Sequence, residues 1–460
     1  MVESWLPRDE RRPTSHSIGQ LRRCVLRTFQ SEISKRKDAM EFRVRLSSFS
    51  LLIFLLSLFT PVGAQHAGRK KIARNPSARP PKVRFISGSS SLKIPFELSI
   101  NLILVQASVN DSAPLWFILD TGASSTVIDS QLAKALRLKP SGRFVETGGA
   151  GTATALIFKG NSIRLPNVEV VNLTISGLPI DFLSAPLGRK ISGVLGNDIL
   201  KQMVVEVDYV SQVINLYEPD SYQYSGSGEV IPLTLEGDLP FVRARVALAG
   251  RPIIGGKFEL DSGSTGAVLF NTPFVDRNRL LDAVSRTSQS RLGGVGGTAL
   301  VFSGRLKEMR VGSFHLENSV ARFSRARRGD DASARYDGLI GGEIFRRFKV
   351  VFDLSRRRVM LEPSAQFAEP FEVDMSGLDL ATEGEDFSVV VVNEIEKGSP
   401  AAEAGIQEED VLTAIDGRSA REFSLAQIRQ MFMQDGKEYL ITLKRGEKEV
   451  QTKLKLRRLI

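Results

Sequence analysis

Residues 117–124 read FILDTGAS and residues 258–265 read FELDSGST, and these two segments decide the fold. Each is an apolar strand that leads an aspartate, Asp120 or Asp261, into a tight turn made of a hydroxyl residue and a glycine. A chain with two such turns can bring two carboxylates face to face. Because two carboxylates at hydrogen-bonding distance cannot easily both ionise, one keeps its proton near neutral pH. The pair can then act as an acid and a base in one place.

Further matches surround the two aspartates in the same order. The matching segments, first copy then second, are 94–98 and 239–243, 148–158 and 293–302, 193–200 and 338–345, and the predicted hairpins 204–216 and 350–361. Ordered matches at similar offsets indicate an internal duplication of a unit of roughly 130 residues. We therefore predict a first lobe over residues 92–222 and a second lobe over residues 223–363.

Strands dominate each unit, because the apolar runs are short, rich in Val, Ile and Phe, and separated by Gly, Asn, Asp or Pro. Helical patterns are few and cover residues 130–137, 197–202 and 343–348. The predicted fold class is all-β dominated. Since neither lobe could hold both carboxylates, the site is expected in the cleft between the lobes.

Histidine and cysteine are scarce, with three histidines (His16, His66, His315) and a single cysteine, Cys24. Only His315 lies in the predicted folded body, where its surroundings read as a strand. A Cys/His catalytic pair and a His-rich or Cys-rich zinc site are therefore excluded there, and a Ser-His-Asp triad could use only His315. We interpret His315 as a surface or packing residue and expect neither a cofactor nor a metal.

An uncharged apolar run covers residues 46–59, after Arg43 and Arg45 and before a small-residue segment that ends at Ala64. It is shorter than the about 20 residues that a transmembrane helix needs, and it is typical of a secretory signal. Residues 1–64 are thus predicted to be an extension and signal peptide, with Met40 as a possible start. An uncleaved membrane anchor is the alternative. Either way we expect an exported protein, in the periplasm, the cell envelope or the medium.

The chain has a net charge of +10, and part of the excess lies in residues 69–84 and 325–328. These stretches lack interleaved aromatic residues or a nucleic-acid-binding pattern. We interpret residues 65–91 as a basic flexible linker and do not expect nucleic acid as a partner.

The two aspartate segments resemble those of the pepsin and retropepsin superfamily over about residues 92–363. In that family each half supplies an Asp-Thr/Ser-Gly turn, with a hydrophobic-hydrophobic-Gly segment behind it; here the latter segments are 194–196 and 339–341. The resemblance implies a two-lobed aspartic protease fold with an interlobe cleft. It also implies that Asp120 and Asp261 share a proton, hold one water and hydrolyse peptide bonds, with neither assigned as acid or base.

The resemblance extends to the residues around the dyad. Thr121 and Ser262 would hydrogen-bond across the lobe interface, and Gly122 and Gly263 would let the carboxylates approach each other. The flap tyrosine of pepsins is absent, and both copies resemble the glycine-rich flap of retropepsins. The predicted flap residues are Gly148, Gly149 and Gly151 in the first lobe and Gly293, Gly294 and Gly296 in the second.

The two turns differ after the glycine, where the first has Ala123 and the second has Ser264. The resemblance implies that a serine hydroxyl there can donate to the carboxylate, whereas alanine cannot. Because a missing donor destabilises the charged form, we expect a working pH less acidic than that of digestive pepsins. An activity maximum below about pH 3.5 would contradict this expectation.

A structural reading of the same repeat is a duplicated β scaffold in which aspartates only cap turns. It does not account for Asp, hydroxyl and Gly being kept together in both lobes. Asp208 and Asp353 are also paired by the repeat, but they precede hairpin turns and are interpreted as structural.

A third module follows a predicted linker at residues 364–383. Residues 386–393 read as a strand, residues 397–405 as a Gly-Ser-Pro-Ala helix start, and residues 410–417 as a strand and turn. Residues 384–460 strongly resemble the PDZ domain, a small α+β module, of bacterial envelope proteases. That resemblance implies binding of an extended peptide at a sheet edge beside a helix at 424–433.

The loop at residues 383–386 is acidic and should repel a terminal carboxylate. We therefore expect the PDZ ligand to be an internal segment or the protein's own linker, with simple packing on the catalytic body as the alternative. The favoured function is an exported, monomeric aspartic endopeptidase whose PDZ domain recruits or regulates polypeptide substrate. The alternative is an inactive peptide-binding scaffold that keeps the fold.

Overall fold

The computed structural model describes residues 80–460. The predictions for residues 1–64, including the signal segment and Met40, and for residues 65–79 lie outside the described residues. Strand makes up 48% of the structure and helix 13%, which confirms the predicted all-β-dominated class. Within residues 80–460 no helix has the length and apolar character needed to cross a membrane.

The first lobe is built from short strands joined by tight turns. Its strands are β1 (Lys82–Phe85), β2 (Ser90–Ser99), β3 (Leu102–Val109), β4 (Leu115–Leu119), β5 (Val127–Asp129), β6 (Pro140–Gly148), β7 (Gly151–Leu165), β8 (Val168–Leu178), β9 (Gly193–Leu195), β10 (Val204–Asp208) and β11 (Val213–Tyr217). Its helices are α1 (Ser130–Ala135), α2 (Ser184–Leu187) and α3 (Asn197–Leu200). Asp129 caps α1 by accepting hydrogen bonds from the first-turn amides, as the sequence pattern requires.

The second lobe repeats this plan. Its strands are β12 (Glu229–Pro232), β13 (Thr234–Glu236), β14 (Leu239–Ala247), β15 (Ile254–Leu260), β16 (Val268–Phe270), β17 (Ser288–Gly294), β18 (Gly297–Arg305), β19 (Glu308–Val311), β20 (Phe314–Glu317), β21 (Val320–Ser324), β22 (Gly338–Ile340), β23 (Phe348–Asp353) and β24 (Arg358–Pro363). Its helices are α4 (Thr272–Arg277) and α5 (Gly342–Phe345), and 3₁₀ turns in the described chain lie at Asp181–Leu183, Pro219–Ser221, Leu280–Ala283, Asp330–Ala332 and Ala420–Glu422.

The duplication is visible in the strand pairing around each aspartate. In the first lobe β9 pairs in parallel with β4 and antiparallel with β5. In the second lobe β22 pairs in parallel with β15 and antiparallel with β16. Ile118 therefore faces Val194 as Glu259 faces Leu339. The two Asp turns start from equivalent places in two equivalent sheets.

The two predicted hairpins lie side by side. Strand β10 pairs antiparallel with β23, so that the hairpins β10–β11 and β23–β24 form one continuous sheet across both lobes. Alternate residues of these strands, such as Val207 and Val350, are fully buried in an apolar core that contains residues of both lobes. This shared sheet holds the lobes together beneath the cleft.

The segment expected to be a flexible linker at residues 65–91 is partly structured. Residues 82–85 form β1, which pairs antiparallel with β8, and β2 starts at Ser90. The linker prediction is therefore wrong for this part. The basic residues of β1 alternate with Val83 and Phe85, which pack against the core, and this period-2 pattern is that of a half-buried strand.

The predicted linker at residues 364–383 is also ordered. Arg347 is fully buried, stacks on the ring of Phe371 with 3.6 Å between its Cζ and the ring centroid, and donates to the carbonyl oxygens of Phe367 and Pro370. The guanidinium supplies several donors in a fixed plane, so one buried arginine can order a whole connecting segment. The segment is a fixed connection rather than a free linker.

The PDZ domain begins before the predicted boundary at residue 384. Its strands are β25 (Leu378–Glu383), β26 (Val389–Ile395), β27 (Val411–Ile415), β28 (Arg418–Ser419), β29 (Glu438–Arg445) and β30 (Lys448–Lys455), and its helices are α6 (Pro400–Glu403) and α7 (Leu425–Met431). Met375 and Leu380 are buried in its core, so the domain includes residues assigned above to the linker. Ser424 and Gln427 close a capping box at the start of α7, inside the helix predicted at residues 424–433.

Candidate active site

Asp120 and Asp261 each follow a buried strand directly. The amide of Asp120 donates to the carbonyl of Leu195 at 3.0 Å, and the amide of Asp261 donates to the carbonyl of Ile340 at 2.9 Å. In each turn the glycine amide two residues later donates to the carboxylate, from Gly122 at 2.7 Å and from Gly263 at 2.8 Å. The hydrophobic-hydrophobic-Gly segments predicted behind the turns thus fix the backbone of each aspartate.

Two hydroxyl residues link the turns across the lobe interface. The amide of Thr121 donates to Oγ of Ser262, and the amide of Ser262 donates to Oγ1 of Thr121, both at 3.0 Å. Each hydroxyl then donates to a carbonyl of the opposite lobe, Thr121 to Leu260 at 2.7 Å and Ser262 to Leu119 at 2.9 Å. Both side chains are buried, so these four bonds hold the two turns in a fixed mutual position.

The glycines of the turns allow the carboxylates to come together. A Cβ atom at Gly122 would lie 2.5 Å from Cγ of Asp261, and one at Gly263 would lie 2.4 Å from Cγ of Asp120. Each glycine therefore faces the aspartate of the other lobe. The structure brings together the predicted residues Asp120, Thr121, Gly122, Asp261, Ser262 and Gly263 at one point.

The two carboxyl groups hydrogen-bond to each other, and the pKa of each is raised. Burial is the main cause for both. The pKa of Asp261 is raised well above its ordinary value because the charges of Asp120 and Glu259 add to the effect of burial. Two carboxyls in a desolvated site cannot both be charged cheaply, so the pair keeps a proton to higher pH than two separate carboxyls would.

The hydrogen bond expected from the Ser264 hydroxyl to the carboxylate is not present in the structure. Ser264 makes no side-chain hydrogen bond to Asp261; its amide donates to the carbonyl of Asp261 at 3.2 Å, and its own carbonyl accepts from Gly342 at 2.8 Å. The backbone bonds orient this residue along the turn. Ala123 makes the same amide contact to the carbonyl of Asp120 at 3.4 Å. The hydroxyl of Ser264 thus adds no bond to its carboxylate, whereas the backbone amide of Ala123 also bonds to the Asp120 carboxyl and lowers its pKa.

The asymmetry of the dyad comes instead from Glu259, which the sequence analysis missed. Glu259 is 5% exposed and takes the place that Ile118 has in the first lobe. Burial raises its pKa well above the ordinary range, the charges of Asp120 and Asp330 raise it further, and a hydrogen bond with Tyr336 opposes the shift. The sequence does contain a sign of this residue, because residues 117–120 read FILD and residues 258–261 read FELD, so that a carboxylic acid replaces an apolar residue.

Replacing Glu259 by glutamine is expected to shift the basic limb of the pH profile of kcat/KM to lower pH. Because the charge of Glu259 raises the pKa of Asp261, its removal should lower the upper apparent pKa of the dyad by about half a unit to one unit. Glu236→Gln, which removes an ion pair with Lys257 at the surface, is the matched control. An unchanged basic limb in Glu259→Gln would contradict this coupling.

Two hairpins carry the predicted flaps, with Gly148 and Gly151 at the tip of β6–β7 and Gly296 at the tip of β17–β18. The tips touch, since a Cβ atom at Gly148 would lie 2.5 Å from the carbonyl oxygen of Val295 and one at Gly151 would lie 2.6 Å from that of Gly296. Val295 and Ala123, the latter beside the first Asp turn, pack against the same apolar cluster of the first lobe. Both flaps therefore meet over the cleft.

The remaining flap glycines differ in their roles. The carbonyl of Gly149 accepts a hydrogen bond from the amide of Asp331 at 3.1 Å, which ties the first flap to the second lobe. Gly293 and Gly294 have open space at the Cβ position, so close packing does not require glycine there.

Burial raises the pKa of Asp331 to about 6, and the charge of Asp330 adds to this shift. A carboxyl group that titrates near neutral pH thus lies at a flap contact.

The residues interpreted as structural lie outside this site. His315 is on β20, where its Nδ1 contacts Glu308 on the paired strand β19. Asp208 accepts hydrogen bonds from the amides of Val210 and Ser211 in its hairpin turn, and Asp353 binds Arg358 in the corresponding turn. These contacts explain the three residues without catalysis.

Comparison with known families agrees with this geometry. Residues 105–199 match the family model described as Aspartyl protease, and residues 391–445 match the model described as PDZ domain. The first match includes the turn at Asp120 and the first flap, and it ends before Asp261. The architecture predicted from the sequence, an aspartyl-protease region of retropepsin type with a C-terminal PDZ domain, is confirmed.

A curated relative is described as a probable CtpA-like serine protease of Staphylococcus haemolyticus (strain JCSC1435). It is 30% identical over 95 residues, which are 20% of this chain and 19% of the relative. The chain thus covers about a fifth of the length of that relative. Together the matches support a protease that carries a PDZ domain.

Proposed function

We propose that the protein is an aspartic endopeptidase in which Asp120 and Asp261 activate one water between them. The observation that carries the proposal is reciprocal: each turn glycine faces the carboxylate of the other lobe, and each turn hydroxyl bonds to the other lobe's backbone. A scaffold in which aspartates only cap turns has no need for this mutual approach. The carboxyls are held where one can take and the other can give a proton.

The proposed reaction needs no covalent intermediate. The ionised carboxylate takes a proton from the water as the water oxygen attacks the peptide carbonyl carbon, and the protonated carboxyl donates to the carbonyl oxygen. The carboxyl that took the proton from water then gives it to the nitrogen, and the other, now ionised, carboxylate takes a proton from a hydroxyl of the tetrahedral diol. The C–N bond breaks and releases an amine and a carboxylic acid. Because both pKa values are raised, the state with one proton on the pair extends toward neutral pH.

A serine-type mechanism, which the name of the relative states for that protein, has less support in this chain. His315 is the sole histidine in the sequence from residue 80 onward, and it contacts Glu308 on the outer pair of strands β19 and β20. A Ser-His pair needs the hydroxyl and the imidazole within hydrogen-bond reach. The two carboxyl groups are the acid and base that the cleft offers.

The polypeptide substrate would lie across the cleft beneath the flaps. Its extended backbone is suited to β pairing with the hairpin tips β6–β7 and β17–β18, and the contact of these tips implies that they open to admit it. We further propose that the protein acts as an exported monomer, as the apolar run at residues 46–59 suggests, in the periplasm, the envelope or the medium.

The test is cleavage of a reduced, alkylated protein by the purified full chain from pH 3 to pH 8. Wild type is expected to cleave it, whereas Asp120→Asn and Asp261→Asn should each lose about a thousandfold or more in rate. Asp208→Asn, at the hairpin turn, is the matched control and should remain active. If wild type and the dyad variants are equally inert, the scaffold alternative is correct; if they are equally active, another group performs the chemistry.

A further inference from the structure

One edge of the PDZ sheet forms a groove with a helix. The strand order is β25-β26-β27-β29-β30, so that β25 is an edge strand while β26 is paired on both sides. Arg429 of α7 donates to the carbonyl of Leu380 at 2.6 Å, which places the helix along this edge. We call this surface the β25–α7 groove. The groove lies at a sheet edge beside the helix predicted at residues 424–433, and the edge strand is β25 rather than the strand read at residues 386–393.

The β25–α7 groove holds a segment of the first lobe. The hydroxyl of Thr382 donates to the carbonyl of Ala185 at 2.9 Å, and Arg429 donates to the carbonyl of Pro186 at 2.6 Å. A Cβ atom at Gly188 would lie 3.5 Å from Cβ of Leu425, in van der Waals contact. The occupant is helix α2 with the following glycine, residues 184–188, which is neither a chain terminus nor the linker.

The loop before β25 explains why the groove is unsuited to a terminal carboxylate. Asp374 accepts hydrogen bonds from the amides of Ser376 at 2.9 Å and Gly377 at 2.8 Å, and the hydroxyl of Ser376 accepts from the amide of Leu378 at 3.0 Å. These successive amides would otherwise be free to bind an anion. The domain thus fills its anion-binding loop with its own side chains and leaves the groove to an internal segment.

Helix α2 is also anchored in the first lobe. Leu187 lies in a buried apolar cluster of the first lobe, and Leu183, Ala123 next to the Asp120 turn and Val295 of the second flap pack against this cluster. Helix α2 has four residues, too few to be stable by itself. Its position therefore depends on its two packing partners, the apolar cluster of the first lobe and the β25–α7 groove.

We propose that residues 184–188 are the built-in ligand of the PDZ domain, and that the β25–α7 groove braces the cleft wall through them. Arg429 is the central positioning residue, because it binds the groove strand and the ligand at once. No main-chain hydrogen bond joins residues 184–188 to β25 in the described structure. An extended peptide beside β25 would need the space that this segment fills against Thr382, Leu425 and Arg429, which makes the two ligands mutually exclusive.

A disulfide tests the occupancy of the groove without any assumption about activity. In the full chain with Cys24→Ser, the pair Gly188→Cys and Leu425→Cys has a Cβ separation of 3.5 Å, within the range of about 3.5–4.5 Å that disulfides need. Mild oxidation should close this bond nearly completely, as measured by mass spectrometry after thiol alkylation. Gly188→Cys with Leu440→Cys, on strand β29, is the control and should keep its thiols.

Equal disulfide yields in the two pairs would overturn the proposal. Because Leu425 is buried in the PDZ core, its substitution could unfold the domain. A second pair, Gly188→Cys with Thr382→Cys, leaves the apolar core of the PDZ domain intact, because Thr382 is buried but is not part of that core. A Cβ atom at Gly188 would lie 3.9 Å from Cγ2 of Thr382. Both pairs share the strain of a side chain at Gly188, whose φ is +66°, so Gly188→Cys alone is the reference for stability. Failure of both pairs in variants whose thermal unfolding is cooperative excludes the docked segment.

The bracing role rests on the proposed function and is tested by kinetics of the full chain on one cleaved peptide. Arg429→Ala should raise KM about five- to tenfold and change kcat less than about twofold, because the cleft wall binds substrate and takes no part in proton transfer. Arg429→Lys should recover part of the loss. Arg418→Ala, which removes an exposed ion pair with Glu422, should leave KM unchanged.

An unchanged KM in Arg429→Ala, or an equal rise in Arg418→Ala, would overturn the bracing role. A drop in kcat alone would overturn it as well, because the effect would then lie in the chemistry. If the wild-type chain shows no proteolysis, the proposed function fails, while the disulfide yields still decide whether the groove holds residues 184–188.

Discussion

Asp261→Asn is expected to abolish proteolysis and at the same time to raise the melting temperature near neutral pH. The folded protein holds the pKa of Asp261 well above its ordinary value, because of burial and of the charges of Asp120 and Glu259. At a pH below the pKa of Asp261 in the unfolded state, this carboxyl is neutral in both states and does not change the free energy of unfolding. As the pH rises toward the folded pKa, the unfolded chain releases its proton first, so that stability falls. Asparagine at position 261 does not ionise, so Asp261→Asn is free of this fall in stability.

The measurement is thermal unfolding of wild type and Asp261→Asn from pH 3 to pH 7. The variant should unfold a few degrees higher at pH 7, and the difference should shrink as the pH falls toward the ordinary pKa of aspartate. Asp208→Asn, whose amide can keep the turn bonds to Val210 and Ser211, should not show this pattern. A variant less stable than wild type at pH 7 would contradict a raised pKa at Asp261.

Gly263→Ala is expected to impair both folding and activity. Its Cβ would lie 2.4 Å from both Cγ and Oδ2 of Asp120. The reciprocal hydrogen bonds between Thr121 and Ser262 hold the turn of this carboxylate in place. The turn cannot relax without breaking buried hydrogen bonds across the lobe interface. We expect the free energy of unfolding to fall by about 2 kcal/mol or more and the proteolytic rate to fall at least about a hundredfold.

Gly255→Ala, on the strand β15 that leads into the same turn, provides the control for that variant. A Cβ atom at Gly255 meets no atom within 4 Å, so this substitution should change neither property. Denaturant unfolding and initial rates of the two variants give the comparison. If Gly263→Ala folds and works like Gly255→Ala, the two carboxylates are not as close as the structure has them.

The sequence was sufficient for the elements whose pattern is local or repeated. The paired turns at Asp120 and Asp261, the hairpins behind them and the glycine-rich flap tips all follow from a duplicated order of motifs. Pairing of the hairpins into one sheet through β10 and β23 depends on contacts between distant segments, and the sequence contains no direct sign of that neighbour.

The sequence was insufficient where one side chain decides a distant interaction. Arg347 orders the segment after β24 from the protein interior, yet in the sequence it looks like an ordinary basic residue near a helix end. Glu259 was overlooked because its strand reads as apolar apart from this one residue. The groove strand β25 was missed because its apolar residues lie in a segment that seemed to be a linker.

The most direct test of the shared dyad is the set of kcat/KM values for one peptide, cleaved at one bond, with wild type, Asp120→Asn, Asp261→Asn and the double variant. If the two carboxyls work as one acid–base unit, each single variant should lose about a thousandfold or more and the double variant should lose no more than the worse single variant. Losses that multiply in the double variant, or a single variant that keeps its activity, would contradict a mechanism in which Asp120 and Asp261 share one proton.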